Sequence, residues 1–90
     1  MLSNMRLAML DLETTGASAS RDEITEIAVI LRDAEEQDAW QSLLRVDRDI
    51  PSFIQRLTGI TPEMLVDAPS FESLAPQLME YLEGAVLVAH

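Results

Sequence analysis

With 90 residues, 48% of them hydrophobic, the chain is one small domain or part of a larger one. It has enough apolar material for a core, but a chain of this size hides only ~60–65% of its surface. Its 16 acidic residues against 6 arginines, with no lysine and a formal charge of −10, exclude a basic phosphate-gripping surface. Any handling of nucleic acid therefore calls for divalent cations to supply the positive charge. The absence of cysteine excludes disulfides and thiolate metal sites and fits a reducing cytoplasm. No apolar run reaches the roughly eighteen residues of a membrane-spanning helix, and "MLSNMRLAML" lacks the apolar centre and cleavage site of a signal peptide.

Residues 6–13 carry branched and long apolar side chains in loose alternation and are predicted as a strand. "TTGASASRDE" follows as a small, polar loop. Residues 24–32, "ITEIAVILR", make a second strand rich in Ile and Val, and "DAEEQ" a charged turn. Residues 39–46, "AWQSLLRV", make a third strand, and the short links favour antiparallel neighbours. "IPSFIQRLTGI" reads as a helix opening at Pro51 and stopped by Gly59. A further helical start has Thr61 as N-cap and Pro62 in the first turn.

From Ser70 to Glu83, Phe71, Leu74, Ala75, Leu78 and Leu82 share one helical face. Pro76 clashes with a preceding turn, so the helix is expected to start near Ser73 or to bend. "AVLVAH" is a continuous apolar run, as in a strand buried on both faces. The order is β-β-β-α-β, with the last strand parallel to the first through a right-handed crossover. An end at His90, directly after an apolar strand, is an odd place for a complete domain to finish.

The stretch "LDLETTG" places Asp11 and Glu13 two apart in the first strand, so both carboxylates project from one face with Leu12 opposite. Two such acids repel unless a positive charge lies between them, and oxygen ligands of this kind suit Mg²⁺ or Mn²⁺. A plain solvated strand face is the competing reading; apolar flanks and the following Thr-Thr-Gly count against it.

In this stretch the chain resembles the DEDD superfamily of 3′–5′ exonucleases, the DnaQ-like group, whose first motif is D-x-E-T-T-G. "RDEITEIAVI" is similar to that family's second strand, and "LTGITPEMLVDAPSF" to the segment leading into its next helix. "LEGAVLVAH" is similar to the start of its second motif, of usual form H-N-x-x-F-D. The whole of 1–90 aligns with the N-terminal half of such a domain, and its phrasing leans toward the DNA polymerase III epsilon-like group.

The resemblance implies an RNase H-like α/β fold, a mixed sheet with helices on both sides. It also implies metal-dependent hydrolysis of phosphodiester bonds at a 3′ end, with two Mg²⁺ or Mn²⁺ ions per complete site. Asp11 and Glu13 are then the catalytic metal ligands. Leu12, Thr14 and Thr15 meet the terminal nucleotide, Leu57 and Thr58 line the pocket beside the last bases, and His90 is adjacent to substrate. The remaining carboxylates and the general base of the second and third motifs lie beyond this chain, which is expected to be inactive alone.

The implied partner is the single-stranded 3′ end of DNA or RNA, with a polymerase subunit as a possible associate, no membrane, and a cytoplasmic setting. Alternatives are an RNA-trimming enzyme of the RNase T or oligoribonuclease kind and a non-catalytic interaction module. The apolar final strand is expected to leave an edge open to self-association.

Glu26 interrupts an apolar strand; it is either a solvent-facing position or a partner of the metal face. Trp40 reads as packing. No Gly-rich phosphate loop or nucleophile–His pair is present.

Overall fold

The structure, a computed structural model, describes residues 5–16, 18 and 22–89. The chain runs β1 (Leu7–Thr14), β2 (Ile24–Arg32), β3 (Gln37–Leu43), α1 (Ser52–Thr58), α2 (Pro62–Leu65), α3 (Phe71–Leu82) and β4 (Val86–Ala89). The strands form one mixed sheet in the order β3-β2-β1-β4, with β1–β2 and β2–β3 antiparallel and β4 parallel to β1. This is the expected RNase H-like α/β arrangement, with three helices in the crossover.

Register decides which side chains share a face. Ala8, Ile27, Val29 and Leu31 lie on one face and are at most 4% exposed, packed with Leu74 and Leu78 of α3. Leu10, Trp40, Tyr81 and Leu82 close around them. Trp40 packs as expected, its ring 6.1 Å from that of Tyr81. A second, smaller cluster joins Ile50, Ile60 and Leu65, with Leu43, Val46 and Ile54 around it. It anchors the segment holding α1 and α2.

Several boundaries differ from expectation, β1 by one residue at each end and the third strand and third helix by more. The third strand begins at Gln37, two residues early, because Asp33 closes a tight turn. Asp33 Oδ1 accepts the Glu35 and Glu36 amides, both at 2.8 Å, so pairing resumes at once. It ends at Leu43: the Leu44 amide still reaches the carbonyl of Thr25 in β2 at 2.8 Å, but the Arg45 amide turns away to the carbonyl of Pro69 at 2.9 Å.

The third helix starts at Phe71, not near Ser73, and runs through Pro76. Ser70 caps it, its hydroxyl accepting the Ser73 amide at 3.2 Å. Pro76 lacks the N–H that would meet the Glu72 carbonyl, and that carbonyl lies on an exposed turn. β4 is not buried on both faces: Val86, Leu87 and Val88 are 45–56% exposed, because β4 is an edge strand. Gly59 stops α1 in the left-handed conformation, φ 77°, as its position after the helix requires. Among the described residues no helix is long and apolar enough to cross a membrane.

Candidate active site

The two acids of β1 are neighbours by strand geometry. Asp11 stands opposite Ala28, and Glu13 opposite Glu26. All lie on the sheet face that α3 does not cover, because alternation sends Ala8, Leu10 and Leu12 to the other side. Asp11 is exposed and Glu13 half-buried. Neither carboxylate has a hydrogen-bond or ion-pair partner among the described residues.

Glu26 is a third acid at this end of the sheet, which sequence reasoning left between solvent and site. Its side chain accepts a hydrogen bond from Gln41 Nε2 at 3.0 Å. Like charges directly across an antiparallel pair destabilise it, so the register concentrates negative charge where a hard cation would relieve it. The donor set suits Mg²⁺ or Mn²⁺ in chemistry. It is incomplete in number: among the described residues no three His, Cys, Asp or Glu side chains come close enough to hold a metal by themselves.

The strand pair breaks register just past Glu13. Glu13 pairs with Glu26 but Thr14 with Ile24, which leaves Thr25 as an extra residue. Such bulges bend a strand and re-aim side chains beside active sites. Thr25 is 1% exposed, and its hydroxyl is a buried polar atom with no partner among the described residues.

The Thr-Thr-Gly stretch turns inward. The Thr14 hydroxyl donates to the Gly16 carbonyl. Thr15 is 1% exposed; its amide donates to the Glu23 carbonyl at 2.9 Å and its hydroxyl to Asp22 Oδ1 at 2.8 Å. Glu23 in turn reaches the third connection, where its Oε2 accepts the amides of Asp47 at 2.8 Å and Arg48 at 3.2 Å.

Leu57 and Thr58 belong to a different element, α1, whose packing is the second cluster rather than the core under β1. Leu57 is 78% exposed. The Thr58 hydroxyl donates to the Ile54 carbonyl at 2.9 Å and accepts the Ile60 amide at 3.1 Å, so it closes the helix end. Phe53, one turn before Leu57 and 60% exposed, joins it in an apolar stripe that the sequence reading missed. The i, i+4 spacing within "PSFIQRL" was the available signal. Leu12 is 46% exposed on the α3 side of the sheet. His90 lies outside the described residues.

A mixed sheet with paired carboxylates on the open face of its β1 strand is an α/β fold of RNase H-like architecture. More narrowly, the chain belongs to the RNase T exonuclease family, whose profile matches residues 8–90. It is 43% identical over 84 residues to a 3′-5′ exonuclease DinG of Staphylococcus epidermidis, covering 92% of this chain and 9% of the relative. It is also 43% identical over 83 residues to a PolC-type DNA polymerase III of Caldanaerobacter subterraneus subsp. tengcongensis, covering 91% of this chain and 6% of the polymerase. The chain thus spans less than a tenth of these relatives' length. Among solved structures, exonuclease X in complex with 5′ overhanging duplex DNA aligns with a TM-score of 0.77 and 29% identity, covering 93% of this chain and 48% of that one.

Proposed function

We propose that this chain supplies the first two carboxylates, Asp11 and Glu13, of a divalent-cation-dependent 3′–5′ exonuclease site, and is the N-terminal half of a DEDD-type domain. The supporting observation is the register that sets both acids on one open sheet face, without a partner among the described residues, in a chain of the exonuclease family. Mg²⁺ or Mn²⁺ bound there would activate water and stabilise the leaving oxygen. The chain's own contribution is to hold two hard oxygen ligands in fixed relation on a paired strand.

The substrate in this reading is the 3′ end of a single DNA strand. The PolC-type relative and the DNA-bound exonuclease X support DNA over RNA. The exposed Leu57, with Phe53 beside it, offers an apolar contact to bases. Leu12 and His90 keep the substrate role implied by the family pattern. Thr14, Thr15 and Thr58 act through loop and helix-end shape, since their hydroxyls are engaged internally. A polymerase subunit is the proposed associate, and the cysteine-free composition favours the cytoplasm. Self-association through the open face and the β4 edge is proposed as well.

Two ligands do not hold a two-ion site, so the chain alone releases no nucleotides from single-stranded DNA or RNA in Mg²⁺ or Mn²⁺. Mn²⁺ added to the isotope-labelled chain broadens the amide signals around Asp11 and Glu13 first, and Asp11→Asn abolishes that selectivity. The variant melts at the wild-type temperature or slightly above, because one of two facing charges is gone. Equal broadening in both proteins, or a large fall in melting temperature, would refute the cation role. Steady nucleotide release by the chain itself would refute the half-site, and a preference for RNA would replace DNA as substrate.

A further inference from the structure

The Asp22 carboxylate is where the loop after β1 converges. Its Oδ1 accepts the Thr15 hydroxyl at 2.8 Å and its Oδ2 the Ser18 amide at 2.8 Å, while its own amide donates to the Ser18 carbonyl at 2.8 Å. Gly16 lies against it. A Cβ at Gly16 would stand 2.7 Å from Asp22 Oδ2 and 2.9 Å from its Cγ, inside any normal contact. The backbone φ of Gly16 is not positive, so a side chain here would meet the Asp22 carboxylate, which would have to shift, rather than a left-handed backbone.

The clasp sits at the register break. Regular pairing beyond Glu13 would set Thr14 against Thr25, whereas the observed pairing sets Thr14 against Ile24 and ties the Thr15 amide to Glu23. A slip of one residue turns side chains to the opposite face of a sheet. Thr15 is held against such a slip by its amide and by both hydrogen bonds of its hydroxyl, donated to Asp22 and accepted from the Glu23 amide at 3.1 Å. Asp22 supplies the part of this hold that spans the loop.

We propose that Asp22 is a positioning residue of the carboxylate site: clasping Thr15 and Ser18 over Gly16, it holds the bulge in the register that aims Glu13 toward a divalent cation. The inference rests on reading Asp11 and Glu13 as cation ligands. It gives "TTG" and the Asp of "RDE" one joint task, which neither segment reveals alone.

The test is a Mn²⁺ titration followed by amide broadening at Asp11 and Glu13, paired with amide exchange at Thr15, Ser18 and Glu23. Asp22→Ala weakens Mn²⁺ binding on the order of ten-fold, the usual scale for residues supporting a ligand. It speeds exchange in the loop while β2, β3 and α3 stay protected. Asp22→Asn retains one acceptor oxygen and recovers most of the affinity. Gly16→Ala displaces the carboxylate and imitates Asp22→Ala, and the double variant is no weaker than Asp22→Ala because the new Cβ then has room.

Faster loop exchange with an unchanged Mn²⁺ titration would overturn the proposal. If Asp22→Ala fails to fold, the Gly16→Ala titration decides in its place by the same criterion. A wild-type chain whose broadening Asp11→Asn does not alter refutes the cation reading itself and this inference with it.

Discussion

The two faces of the β1–β2 pair are built from similar residues and end in different surroundings. On one, Ile27, Val29 and Leu31 are at most 4% exposed beneath α3. On the other, Leu7, Ile30, Val86 and Val88 are 37–45% exposed, and the same face carries Asp11, Glu13 and Glu26. A solvated sheet face is normally polar between its strands' buried positions. Here apolar residues fill the middle and acids one end. Burial on the first face provides the stability; the second keeps the acids accessible and leaves an apolar surface uncovered. The difference arises because α3 returns to one side alone.

The sharpest way to break this comparison is to truncate one isoleucine on each face. Ile27→Ala removes a side chain that is 2% exposed and should cost about 2–5 kcal/mol in denaturant unfolding, enough to unfold a domain this small. Ile30→Ala, on a residue 38% exposed, should cost less than about 1 kcal/mol. Equal losses would mean that the second face is packed in solution.

Next in size is association. The open face and the β4 edge should drive the chain into dimers or larger species at tens of micromolar in sedimentation. The charge of −10 opposes this, but repulsion is screened beyond ~8 Å at physiological salt, whereas edge pairing and apolar contact act at short range. Val88→Lys places a charge on that edge and should shift the population to monomer. A wild-type monomer with cooperative unfolding would show that the face tolerates water.

The smallest expected effect lies at the β2–β3 turn, where no packing is involved. Hydrogen bonds from the Glu35 and Glu36 amides hold the Asp33 carboxyl below its ordinary value. A depressed folded value means that the turn's contribution is fully present above the ordinary carboxylate range and is lost as pH falls through the lowered one. Amide shifts of Glu35 and Glu36 should therefore titrate with a midpoint below 3.8, and Asp33→Asn should abolish the titration. A midpoint at or above the ordinary value would contradict the turn geometry.

Period-two alternation sufficed to place β2 at its observed bounds and to put Asp11 and Glu13 on one face, because strand geometry allows no other arrangement. Capping chemistry likewise marked Pro51, Gly59 and Thr61, since each meets a local backbone need, whereas the cap at Ser70 emerged only from the structure. The resemblance carried by "LDLETTG" named the family before any contact was known. Other features had no local signal. Glu26 faces Glu13 only because of the register in which β1 and β2 pair, and Thr15 turns inward only because Asp22 and Glu23 come back to meet it. The third strand ends where Pro69, a residue remote in sequence, takes the Arg45 amide. These depend on segments brought together by burial of the core. Sequence order therefore determined the ligands' shared face, and tertiary structure decided what stands beside them.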